Sequence, residues 1–151
     1  MKTIDSQVVK DLLDRLQRLH PETRALWGKM NAHQMVCHLV DSFGLAMGAR
    51  TASEDITFLN RTLVRWVALH TSFPWPKGVP TRPEMDQLRG GTPPVEFARD
   101  TVGLAAAIQR FAQRPGTFQF TRHPIFGELT EWEWMRWGYL HTDHHFRQFG
   151  V

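Results

Sequence analysis

Three of the eight histidines in this chain fall within five residues, in the run Tyr139-Leu140-His141-Thr142-Asp143-His144-His145-Phe146-Arg147-Gln148. On a helix, residues four apart differ by about 40° in azimuth, so His141 and His145 stand on one face. Two imidazoles so placed can hold one metal ion, the geometry used by helical two-histidine sites. Two ligands do not complete a site, so another part of the chain must supply a third. Periodicity alone prefers the 141/145 pair only slightly, since His144 lies about 60° to the other side of His141.

The third candidate is His38, which sits among apolar residues in a different helical segment. Three neutral imidazoles suit zinc, nickel or ferrous iron and leave positions open for water or substrate. An ion with an open position acts as a Lewis acid and lowers the pKa of a bound water or thiol. The plainer alternative is that these histidines are ordinary residues of amphipathic helices, the C-terminal ones favoured by the helix dipole. Asp41, one turn beyond His38, reads either as the partner fixing a ligand histidine's tautomer or as a solvated acid. Gln148 lies one turn past His145 and either lines the site or faces water. His33 reads as a first-turn surface residue, with membership of a rearranged site as the alternative. Cys37 is about 100° around the helix from His38, cannot share its metal, and reads as core. His20, His70 and His123 border prolines or loop ends and read as structural.

These residues need helices to position them. Residues 5–19 place Val8, Val9, Leu12, Leu13, Leu16 and Leu19 at three- and four-residue steps, an amphipathic helix ended by His20-Pro21. Asn31 with Gln34 makes a capping box for a second helix over 32–47, and Gly48 stops it. A third helix is predicted over 56–70, with Leu59, Leu63, Trp66, Val67 and His70 on its inner face. From Phe73 to Val95 the density of proline and glycine permits neither helix nor central strand, which leaves a long loop of the functional or mobile kind. A fourth helix over 95–113 steps through Phe97, Thr101, Leu104, Ile108 and Phe111 and closes at Arg114-Pro115-Gly116. Residues 117–129 are aromatic-rich and pack over the helices. Thr130 with Glu133 caps the last helix, which runs to about residue 149. In that helix Trp134, Gly138, His141 and His145 share a stripe. Trp134 either walls a pocket or, the favoured reading, belongs with Trp132 and Trp137 to core or a dimer seam. Gly138 leaves room for a ligand.

The fold expected is all-α: one domain over 1–151, an antiparallel helical bundle able to build a metal site in its core. Hydrophobic residues make up 42% of the 151 and charged residues 22%, a globular balance. No apolar run approaches a membrane span, and the N-terminus lacks a signal peptide's apolar core. A single cysteine excludes an internal disulfide and fits a reducing compartment, so cytoplasm is expected. The net charge of +3 is spread over scattered arginines rather than a stripe, which argues against a nucleic-acid partner. No phosphate-cradling glycine loop and no nucleophile-elbow serine is present.

Met35-Val36-Cys37-His38-Leu39-Val40-Asp41-Ser42 and His141-Thr142-Asp143-His144-His145-Phe146-Arg147-Gln148 together resemble the DinB/YfiT-like superfamily. Its members carry a histidine in a His-Leu-x-Asp setting in the second helix and a His-x-x-His-His-x-x-Gln run in the last. Trp27-Gly28-Lys29-Met30-Asn31-Ala32-His33-Gln34-Met35 and His123-Pro124-x-Phe126-Gly127 are similar to one uncharacterised branch. The chain departs from many relatives in reading Phe146-Arg147-Gln148 where they have Arg-Gly-Gln.

The resemblance implies a four-helix bundle of unusual connectivity, here with an additional helix and the long proline-rich loop. It implies a divalent metal on His38, His141 and His145, and frequently a homodimer. It also implies thiol-dependent transfer or metal-dependent hydrolysis of a small molecule, with a low-molecular-weight thiol as possible co-substrate. The rival expectation is a non-catalytic bundle that binds a small molecule or a protein partner.

Overall fold

The protein is described by a computed structural model, which covers residues 1–113, 116 and 118–151. Arg114 and Pro115, expected to close the fourth helix, and Thr117 at the start of the aromatic segment lie outside the described residues. Helix α1, Ser6–Leu16, begins where the Asp5 carboxylate accepts the Val8 N–H at 2.8 Å. It is shorter than expected, and Leu19 reaches the core from the turn beyond it. Helix α2, Ala32–Ala46, opens with the anticipated capping box: Asn31 accepts the Gln34 N–H, and Gln34 accepts the Asn31 N–H. Gly48, at φ +79°, takes the left-handed conformation that ends it.

The third segment differs most from expectation. It is helical only from residue 58, passes through a π turn at Asn60–Val64, and becomes α-helix α3 at Arg65–His70. A π turn is wider than 3.6 residues, so it re-phases every residue after it. Leu69 becomes the one fully buried side chain, whereas Leu59, Leu63, Trp66 and Val67 of the predicted inner face are exposed. Between α3 and α4 lies only a short 3₁₀ turn, Pro83–Met85.

Helix α4, Phe97–Ala112, buries Leu104, Ile108 and Phe111 as the stepping predicted. Helix α5, Glu131–Gln148, starts at the Thr130–Glu133 capping box. Glu133 does more than cap. It is buried and also takes Arg65 and His70, tying α3 to the start of α5. Burial alone would raise its carboxyl pKa, but the Arg65 guanidinium, Thr130 and His70 hold it down at about 2.

Helices α1 and α2 each pack against both α4 and α5, and α3 packs on α5. All the described elements are helical, and the isolated pairing of His123 with Gly127 is the nearest approach to a strand. Among the described residues, no helix is long and apolar enough to cross a membrane. The core runs between α2, α4 and α5 through Phe43, Phe111, Trp134, Trp137 and Phe146. Gly138 is part of this packing, because a Cβ there would meet Phe111 at 2.7 Å and Ile4 at 2.9 Å. The room it leaves is therefore filled by the chain's own core and not by a ligand. Arg136, itself buried, bonds the carbonyls of Lys2, Leu69 and Thr71, so α5 also holds the N-terminus and the end of α3.

Candidate metal centre

The side chains of His38, from the middle of α2, and of His141 and His145, from the last two turns of α5, meet between the two helices. One ring nitrogen from each lies within 4.8 Å of the others. His38 Nε2 and His141 Nε2 are 3.2 Å apart, and the His145 ring centre stands 4.8 Å from that of His38 and 4.9 Å from that of His141. Neighbouring nitrogens on a tetrahedral zinc with bonds of about 2.0–2.1 Å are separated by roughly 3.3 Å, so the closest pair already has chelating spacing. His144, the geometric alternative to His145, lies outside the cluster. Its ring packs instead beside Trp27 at 5.9 Å and Trp75 at 6.2 Å.

Two of the three rings are oriented from behind. His38 Nδ1 stands 3.0 Å from the Met85 carbonyl, which can only accept, so Nδ1 carries the proton and Nε2 the lone pair. His145 Nδ1 donates to Gln148 Oε1 at 2.8 Å, while Gln148 Nε2 donates to the Trp27 carbonyl at 2.7 Å. That second bond fixes which end of the amide faces the imidazole, and leaves the His145 Nε2 lone pair for the cluster. Gln148 therefore lines the site from behind and is buried rather than facing water. The close approach explains Gly28: a Cβ there would stand 2.5 Å from Gln148 Nε2, and its φ of +84° is disfavoured for other residues. The Trp27-Gly28 pair thus serves the site from 120 residues away in sequence.

Burial lowers the pKa of His38, and the Met85 carbonyl only partly opposes it. His141 and His145 are held well below the ordinary histidine value, again by burial first and by their histidine neighbours second. All three are neutral near pH 7, which is the form that binds a metal. Three convergent neutral imidazoles, those of His38 and His145 with their protons held away from the centre, fit a borderline divalent ion such as zinc or nickel.

The surroundings correct several expectations. Asp41 does not touch His38. It is buried and accepts from Arg50 Nη1 at 2.6 Å, Gln87 Nε2 at 3.0 Å, Thr92 N–H at 2.8 Å and Thr92 Oγ1 at 2.7 Å. It anchors to α2 the loop that brings the Met85 carbonyl to His38, so its influence on that histidine is indirect. Trp134 packs against Phe120 and His123 in the core and walls no pocket at the histidines. The indoles that reach them are Trp137, stacked on His141 at 4.9 Å, and Trp75 of the proline-rich segment, 6.1 Å from the same ring. Lys77 lies 4.3 Å over the Trp27 ring and adds a positive charge beside His144. Met85 and Trp75 carry no sequence signal of their own; the length of the loop was the only pointer to them.

Cys37 is buried, as read, but His33 is not a free surface residue. Its Nε2 bonds Asp100 Oδ2 at 2.8 Å, and Cys37 Sγ lies 3.7 Å from the same oxygen. His70 and His123 are structural. The buried His123 Nδ1 accepts the Ile125 and Phe126 N–H groups, and burial, followed by the charge of Arg82, brings its pKa down to about 3.

The model of a family described as a protein of unknown function, DUF1569, matches residues 2–150. No curated protein and no solved structure matches the chain. The chain belongs to the DUF1569 family.

Proposed function

We propose that this DUF1569 chain is a single DinB-like four-helix bundle, with α3 as the additional helix, that holds one divalent cation on His38, His141 and His145. Its function in this reading is transfer of a small thiol, or hydrolysis, on a small-molecule substrate. The observation that supports it is the convergence of three neutral imidazoles, two of them aimed by hydrogen bonds on their far side. Zinc or nickel suits that donor set best and ferrous iron next. An ion bound there supplies Lewis acidity, lowering the pKa of a thiol or water that enters its open position.

The protein's own groups do the rest. The Met85 carbonyl and the Gln148 amide keep two ligand rings in their tautomers. Trp75 and Trp137 flank His141 with apolar surface and limit water at the histidines. Lys77 places a cation at the outer edge, suited to an anionic substrate or a thiolate. The exposed apolar side chains Phe58, Leu59, Leu63 and Trp66 supply a face for the homodimer that belongs to this reading.

Adding a small thiol to the cobalt-loaded Cys37→Ser variant tests the function, because that variant has no cysteine of its own. A near-UV thiolate-to-cobalt band that saturates with added thiol is the expected result. Full coordination by protein groups, with no band at any thiol concentration, would overturn the thiol-activating reading.

A further inference from the structure

The face of α2 that turns away from the three histidines carries a second group of metal-binding side chains. His33 and Cys37 are four residues apart on α2, the same spacing as His141 and His145, and so lie on one helical face. Asp100, in the first turn of α4, meets them across the helix interface. One donor atom from each, an imidazole nitrogen, a sulfur and a carboxylate oxygen, lies within 4.8 Å of the others. His33 Nε2 is 2.8 Å and Cys37 Sγ 3.7 Å from the same oxygen, Asp100 Oδ2. Around a tetrahedral zinc such mixed donors stand roughly 3.3–3.7 Å apart. The sulfur is already at that distance, and the imidazole needs to withdraw by about half an ångström.

A cleft of about 250 Å³ opens beside this cluster and is lined by Cys37, Val40, Thr92, Arg99, Asp100 and Gly103. The cluster therefore has what an ordinary histidine–aspartate pair lacks: a thiol as third donor and open volume for a fourth ligand.

We propose that His33 Nε2, Cys37 Sγ and Asp100 Oδ2 form a second site for a thiophilic divalent cation, its fourth position facing the cleft. Binding replaces both the thiol hydrogen and the proton that His33 Nε2 donates to Asp100: the thiol proton passes to solvent, and the imidazole moves to its Nδ1–H tautomer, which frees the Nε2 lone pair. The ion links α2 to the first turn of α4, on the opposite flank of α2 from the three-histidine cluster. The site neither uses those histidines nor depends on the function assigned to them.

Cobalt(II) added to the metal-free full-length chain tests the proposal on the unmodified protein. Cys37 is the single cysteine, so a thiolate-to-cobalt charge-transfer band in the near ultraviolet reports this site alone. The expected result is a saturable band that bleaches on addition of zinc, with saturation at one cobalt per chain in the His141→Ala variant, where the three-histidine site is broken. His33→Gln and Asp100→Asn should each weaken it by more than about tenfold in affinity, while His141→Ala leaves it unchanged. No band at saturating cobalt would overturn the proposal. So would a band of undiminished affinity in both His33→Gln and Asp100→Asn, which would mean that the thiol binds alone.

Discussion

Helix α2 and the segment spanning residues 58–70 are both rich in apolar side chains, yet they end in opposite environments. In α2, Met35, Val36, Leu39 and Phe43 are buried together with His38. In the other segment Leu59, Leu63 and Trp66 remain more than half exposed at 54%, 57% and 57%. The two differ in how they are held. Helix α2 begins at a capping box and is packed by both α4 and α5. The later segment opens on a single side-chain cap bond, from the Asn60 N–H to Thr57 Oγ1, contains a π turn, and rests on α5 mainly through Leu69 and the Glu133 bonds to Arg65 and His70. An apolar pattern predicts burial only where the helix phase is fixed and a neighbour is available on that side.

The sharpest break between the two regions is expected on truncation of the seam. Phe43 contacts Phe111 and Trp137, and Phe43→Ala should cost about 3–5 kcal/mol in urea unfolding. A cost below about 1 kcal/mol would mean that the seam is not close-packed.

Acid should act on the seam next. His123 has a folded pKa of about 3, below the ordinary value of 6.5. The unfolded chain therefore takes up a proton first as pH falls. The stability this buried neutral histidine contributes is complete above about pH 6.5 and is lost progressively towards pH 3, on the order of 5 kcal/mol in all. His123→Gln should flatten that part of the stability profile, and an unchanged slope would assign the acid sensitivity to other groups.

A smaller effect belongs to the support of the candidate site. Gln148→Leu removes the acceptor behind His145, and Gly28→Ala pushes on the same amide. Each should weaken binding of the histidine-held ion by about 10–100-fold without unfolding the chain, as read by competition with a chelator. Equal affinity in both variants would show that orientation of His145 does not matter.

The smallest change is expected on the exposed face. Trp66→Ser should alter the stability of the isolated chain by no more than about 0.5 kcal/mol, yet shift a dimer towards monomer in sedimentation. A loss comparable to that of Phe43→Ala would mean that the face is buried within one chain.

The same contrast explains what was legible in the sequence. The caps at Asn31 and Thr130 act locally, through side chains three residues apart, so α2 and α5 could be placed almost to the residue. Helical spacing pairs His141 with His145 only slightly better than with His144, and it is the family resemblance that selects His38, His141 and His145, which the fold brings together. The Met85 carbonyl could not be found that way, since any residue type supplies a carbonyl. The partners of Asp41 have no such signal, because its four donors come from Arg50 before α3 and from Gln87 and Thr92 after it, in connections with no periodicity. His33 and Cys37 were weighed singly, one as surface and one as core, and their shared partner Asp100 lies more than 60 residues away. The third helix differs for another reason: a π turn has no strong residue signature, and one such turn rotates the residues after it, Trp66 and Val67 among them, out of register with those before it.

In the proposed reading His38, His141 and His145 hold a divalent ion and His144 does not. Metal content per chain, measured for the zinc-loaded wild type beside His145→Ala and His144→Ala, tests it most directly. The account predicts that His145→Ala carries one ion fewer than wild type and that His144→Ala carries the same number. Equal loss in both variants, or no loss in His145→Ala, would contradict it.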